Sequence, residues 1–434
     1  MTQTETTPDR HDPAPEPSPD QARQRGALAR LGLIVLGGLV AAYATGVTST
    51  VLVVAAIIAM IMLHELGHFL TAKWAGMKVT EYFLGFGPRL WSVRRGETEY
   101  GVKAIPAGGY VKIIGMSNLD KVDPADEDRT YRQKPYWRRL TVAVAGSTVH
   151  FIIAFLLLLV LFSVVGVPNY DREFSVGEIS RLETGPSPAE EAGFKLGDTV
   201  LAVDGHRLTW DEVPIYIRAR PGRPVVFDVR RGTRRLELTA TPVDLSKVVV
   251  KGDTAPRSGK PRGFVGIGNP SFPIERSGPI DTVSRATRGL GRATVDTVKA
   301  LGGIFSPSGA SSYSRQLVNG NAKRNDNDPR FLSPVGFVRV ASQAAHTGWR
   351  EVLTLLLSIN VFVGVFNMIP LLPLDGGHVA IATYERIRSR NGRRYHADVA
   401  KAMPVYYMVF LVIVFLGISS LYLDIVRPIA NPFQ

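Results

Sequence analysis

Apolar residues in this chain gather into long blocks separated by polar stretches. Leu31 to Leu63 contains no charged residue, and up to Ala72 the only ionisable groups belong to one five-residue string, HELGH (64–68). A membrane-crossing helix needs about 20 apolar residues. The block 31–72 therefore predicts two passes, with a turn at ATGVTST (44–50), where small and β-branched polar residues cluster. Further blocks at 140–170, 352–374 and 402–423 bring the expected total to five spans. A secretory signal peptide fits 1–50 poorly, because no small-residue cleavage pattern closes the first block and a second follows at once.

The polar stretches have patterns of their own. Residues 1–26 are proline-rich without apolar periodicity and read as a disordered tail. Residues 83–115 alternate short β-type runs with glycine turns, which predicts a β-hairpin sheet close to the membrane within an N-terminal membrane region, 27–170. Between 171 and 250, FSVGEI, DTVLAVDGHRL, PVVFDVRRG and RRLELTATPV are strand-like, the last two forming a hairpin at Arg231-Gly232. SPAEEAG and DEVPIYIRA begin with helix-capping residues, so this stretch is an α/β domain. The chain from 251 to 350 reads as a linker region, with 306–330 as a mobile loop, and 351–434 as a C-terminal membrane region.

Charge fixes the expected orientation. The chain has 51 Lys and Arg against 38 Asp and Glu, a net +13. Thirteen of the basic residues fall in 73–139, six in 376–401, and Arg23, Arg25 and Arg30 precede the first span. Short cytoplasmic loops carry the excess of Lys and Arg, and these segments share one side only if 31–72 crosses twice. The expectation is a multi-pass cell-membrane protein with a cytoplasmic N-terminus and an extracytoplasmic 171–350. The basic excess is then an orientation signal, and nucleic acid is rejected as a partner. With no cysteine, any metal must be held by nitrogen and oxygen.

HELGH supplies such donors. Residues i and i+4 share a helix face, so His64 and His68 can grip one ion. Glu65 can reach a water bound to that ion and act as general base. Ionisable groups inside a span are expensive and functional by default. A catalytic zinc site usually takes a third protein ligand. Asp375, at the cytoplasmic end of the fourth span, lies on the same expected side as HELGH, with His378 as the rival. Before it, Pro370 and Pro373 remove backbone donors, and Gly376-Gly377 permit a tight turn. Asn360 and Asn367 could hydrogen-bond an extended substrate peptide or join helices to one another.

Together these motifs resemble the site-2 proteases, intramembrane zinc metalloproteases. HELGH and NMIPLLPLDGG (367–377) look like that family's two signatures. GFGP (85–88) and IPAGGYVK (105–112) resemble its membrane-associated β-loop, and GPSPAEEAGFKLGDTVLAVDG (185–205) resembles the PDZ domain of its regulator-of-sigma-E-protease branch. The resemblance implies an α-helical polytopic core with a β-hairpin loop and an inserted PDZ domain. It implies Zn2+ at His64, His68 and Asp375, with Glu65 as base. Its implied substrate is a transmembrane segment in the lipid bilayer, typically of an anti-sigma factor already trimmed outside. The alternative is a membrane-embedded PDZ scaffold with a non-catalytic metal site, against which the intact Glu65 argues. Where the family's third core helix carries Gly-Pro-x-x-Asn-Phe, this chain has GSTVHF (146–151), so Ser147 and His150 stand in for proline and asparagine.

Overall fold

The apolar blocks fold as helices. A computed structural model describes residues 19–116, 120–170, 172–251, 261–318, 331–389 and 395–428. Among them, four helices are long and apolar enough to cross a membrane: Thr48–Trp74, Tyr136–Val165, Trp349–Asn367 and Val399–Val426. The first expected span is helical too, as α1 (Pro19–Ala44), but its apolar stretch, Leu28–Ala44, falls short of those four in length. Helix α1 starts inside the expected tail, whose residues 1–18 lie outside the described residues. Its end is a glycine cap: Gly46 takes φ +73° and the Val47 amide donates to the Ala42 carbonyl at 3.0 Å. Helix α2 (Thr48–Trp74) follows at once.

After α2, β1 (Val79–Arg95) and β2 (Thr98–Ile113) form a two-stranded antiparallel sheet that curls on itself. Arg95 faces Thr98 across the turn at Gly96, and Glu81 to Leu84 have partners on both sides. The Tyr82 hydroxyl donates to the Met62 carbonyl of α2 at 2.8 Å. Helix α3 (Tyr136–Val160) continues through one wide turn, Leu161–Val165, and stops where Gly166 adopts φ +82°.

The chain divides into two compact units, Met1–Leu159 with Ser284–Gln434, and Val160–Val283. In the second, Phe174–Ser175, Thr199–Val203, Val225–Arg231 and Arg234–Ala240 make a four-stranded antiparallel sheet in that order. Its inward residues alternate as a half-buried sheet requires: Val225, Phe227 and Val229 are buried, with Phe174, Val203 and Phe194 beside them. Two short helices, α4 (Pro188–Glu191) and α5 (Glu212–Arg218), belong to the same unit; Ser187 caps the first by accepting from the Glu190 amide. Asp198 is buried and takes two bonds of 2.7 Å from Arg231 and one of 2.8 Å from the Lys195 amide. Burial alone would raise its carboxyl, but these donors hold it below the usual carboxylate range.

The stretch expected as linker is instead largely helical. It contains α6 (Pro279–Ile304), α7 (Pro307–Val318) and α8 (Pro334–Thr347). Caps explain the last two. Ser306 accepts from the Gly309 amide ahead of α7, and Ser333 accepts from the Gly336 amide ahead of α8, each with proline at the first helical position. Part of the expected mobile loop is therefore α7; 319–330 lie outside the described residues.

Then come α9 (Trp349–Asn367), α10 (Asp375–Arg388) and α11 (Met403–Val426). Small residues let α8 lie close: Ala341 and Ala344 are fully buried against a cluster that includes Val53, Met60 and Leu355. The far end of α8 is tied to α11. The buried Asp424 carboxylate accepts from both the amide and the hydroxyl of Ser333, at 2.7 Å each. The Ser333 cap that this carboxylate holds in place is worth about 1 kcal/mol.

Candidate metal centre

HELGH sits near the C-terminal end of α2, against α3. Gly67 is required by that contact: a Cβ there would meet the Ala145 carbonyl oxygen at 3.0 Å and Val149 at 2.9 Å. The close approach brings α3 over the imidazoles, both buried. His68 Nδ1 donates to the Val142 carbonyl at 2.7 Å, which leaves its Nε2 with the lone pair. His68 Nε2 faces His64 Nε2 at 3.2 Å.

The third donor arrives from the other end of the chain. Helix α9 ends at Asn367, earlier than the expected span, and residues 368–374 run irregularly to α10. This loop folds tightly onto the first turn of α10. A Cβ on Gly376 would lie 2.3 Å from the Ile369 carbonyl oxygen, and one on Gly377 would lie 2.6 Å from the Leu372 nitrogen. Close approach, rather than a turn of their own, is what these glycines serve. Asp375 opens α10, and its Oδ2 lies 3.4 Å from His64 Nε2 and 3.3 Å from His68 Nε2.

Those separations fit an ion. Zinc bonds of about 2.1 Å at the tetrahedral angle put donor atoms about 3.4 Å apart. Asp375 Oδ2 is buried and otherwise without a hydrogen-bond partner. Opposite it, Gly146 of α3 leaves a hollow: a Cβ there would lie 2.4 Å from His68 Nε2 and 2.5 Å from His64 Nε2. His64, His68 and Asp375 are the group of possible metal donors found among the described residues. His378, the rival, points elsewhere, its ring edge-on to Tyr131 at 6.2 Å.

Glu65 is half-buried beside this cluster, where β2 crosses α2. A Cβ on Gly109 would meet the Glu65 side chain at 3.3 Å. The asparagines differ from each other. Asn367 is half-buried at the end of α9, eight positions before Asp375. Asn360 is fully buried, and its amide is already engaged by His150 Nδ1 at 2.8 Å, the Leu356 carbonyl at 2.8 Å and the Met60 sulfur. It joins α9 to α3 and α2 instead of facing a cleft. Sequence reasoning missed Gly67, Gly109 and Gly146, whose role is only the room they leave. Gly146 and His150, four apart, share one face of α3, a signal that GSTVHF did carry.

Residues 52–414 match the family model described as peptidase family M50. The chain is 33% identical over 408 residues to the zinc metalloprotease Rip1 of Mycobacterium tuberculosis, covering 88% of this chain and 98% of that protein. It is 32% identical to the Rip1 of Mycolicibacterium smegmatis with the same coverage. A putative zinc metalloprotease of Rhizobium meliloti, R01501, is 28% identical over 347 residues, 76% of this chain and 85% of its own length. Similarity on this scale, over nearly the whole of such relatives, means that the chain belongs to peptidase family M50, the site-2 proteases, and is a zinc metalloendopeptidase with a membrane-helix core.

Proposed function

We propose that the enzyme cleaves transmembrane segments of other proteins within the bilayer. The observation that carries this reading is a hydrolytic donor set buried between helices apolar enough to cross a membrane. His64 and His68 of α2 and Asp375 of α10 are the proposed zinc ligands. Bound zinc supplies Lewis acidity and lowers the pKa of a coordinated water. Glu65 is the proposed base, taking the proton of the attacking water and returning it to the departing amide nitrogen. The His68–Val142 bond holds one ligand ring in orientation. Asn367 is the proposed contact to the extended substrate backbone, and Asn360 is read as a helix-joining residue.

A substrate helix must unwind before its peptide bond can be attacked, and each broken backbone bond in lipid costs energy. Segments weakened by glycine or proline are therefore the proposed substrates, with a trimmed anti-sigma factor the class that the motif resemblance suggests. The unit Val160–Val283 is read as the PDZ domain, extracytoplasmic, with five spans and a cytoplasmic N-terminus.

The test is zinc content and cleavage of a glycine-containing transmembrane substrate by reconstituted enzyme. Glu65→Gln is expected to keep zinc and lose cleavage by at least about 100-fold, because it removes the base but no ligand. His64→Ala, His68→Ala and Asp375→Ala are expected to lose both, and His378→Ala neither. Stoichiometric zinc with full activity in Asp375→Ala would sink the ligand assignment. Cleavage confined to soluble peptides would sink the intramembrane reading.

A further inference from the structure

Metal-ligating imidazoles almost always donate their second ring N–H to an acceptor that fixes the tautomer and orients the ring. His68 does so through Val142. His64 does not: its Nδ1 is buried with no hydrogen-bond partner. The neighbouring His150, also buried, has the complementary deficiency. Asn360 Nδ2 donates to the Leu356 carbonyl and lies against the Met60 sulfur, which turns the amide oxygen towards His150 Nδ1. An amide oxygen can only accept, so Nδ1 carries the His150 proton and Nε2 carries the lone pair. That Nε2 is buried and lacks a donor. The His64 and His150 rings lie 5.0 Å apart between centroids, tilted by 44°.

A donor without an acceptor thus stands beside an acceptor without a donor. We infer that His150 is a positioning residue for the metal centre: its Nε2 accepts the Nδ1–H of His64, directly or through one water, and Asn360 holds it in the tautomer that can do so. The chain of contacts runs from α9 through α3 to α2, so helix packing sets the orientation of a ligand ring. The inference rests on the proposed role of His64 as a ligand. Residues 146 and 147 of α3 carry two other acceptors. The Ser147 hydroxyl is buried without a partner, and the Gly146 carbonyl also approaches His64.

The test uses full-length enzyme in detergent, with zinc affinity read by chelator competition and coordination read from the visible spectrum of the cobalt-substituted protein. His150→Phe keeps a ring and removes the acceptor; it is expected to weaken zinc binding about 10–100-fold and to alter the cobalt spectrum. His150→Gln, which keeps an acceptor oxygen, is expected to stay within about threefold of wild type, and Asn360→Leu to fall between. Wild-type affinity and spectrum in His150→Phe would overturn the inference and leave Gly146 or Ser147 as the acceptor. If His150→Phe does not fold, nitrogen NMR of histidine-labelled, zinc-loaded wild type decides: the Nδ1–H tautomer of His150 is expected, and the Nε2–H tautomer overturns the inference. His64→Ala separates the two levels. Loss of zinc there keeps the ligand assignment standing whatever His150 does, whereas retained zinc removes the assignment itself.

Discussion

Gly146 carries no functional group, yet the two imidazoles can meet an ion only because it lacks a Cβ, which would lie 2.3 Å from His64 Cε1. Gly146→Ala should therefore fold and still fail to hold zinc. The expected result is a loss of zinc affinity of about 100-fold or more, measured by chelator competition, with helix content unchanged by circular dichroism. Unchanged affinity would mean that α3 can retreat from α2 at no cost. The candidate donors were legible in the sequence because i, i+4 spacing is local and charge placement put Asp375 on the same side as HELGH. Asn360 was not, because its partners lie on α2 and α3, hundreds of positions away for α2 and α3 alike. Only the folded chain distinguishes an amide facing a cleft from one closing a helix interface.

Between elements, a buried ion pair joins α3 to α10. Arg139 donates to Glu385 at 2.6 Å, with side-chain exposures of 10% and 6%, and the second Glu385 oxygen accepts from the Ala397 amide. The same arginine lies over the Tyr131 ring, which packs on His378. This strut sets the helix whose first residue is Asp375. Removing one partner leaves an uncompensated buried charge, so Arg139→Met should cost about 3–5 kcal/mol and lower zinc occupancy. Arg139→Met combined with Glu385→Leu should recover most of that stability in thermal unfolding, since an apolar pair can replace a buried ionic one. A double variant no more stable than Arg139→Met would show that the pair acts by more than charge balance. Elements themselves were legible where apolar runs are long. The helices α6, α7 and α8 were not, because their Gly, Ser and Arg content imitates a loop. What makes α7 and α8 helices is a serine cap before a proline, together with the support of α2, α9 and α11.

On the scale of the whole molecule, orientation follows from the side on which Lys and Arg gather. A reporter fused after Gly26 is expected to be cytoplasmic, and one fused at Arg207 extracytoplasmic; an external Gly26 would mean that α1 does not cross. Membrane class and family were legible because both rest on blocks and motifs that survive without a structure. The division at Val160 and Val283 was not, since a compact unit is defined by contacts between residues far apart in the chain. His64 and His68 lie in α2, whereas Asp375 opens α10 after both the hairpin and the second unit. At 5–20 residues per second, the ribosome delivers Asp375 about 15–60 s after the histidines. During that interval other membrane helices are also unfolded, and under the proposed function these are the segments most easily cut. With the proposed donor set, two imidazoles without the aspartate make an incomplete cage, and the enzyme is expected to stay silent until translation is nearly over.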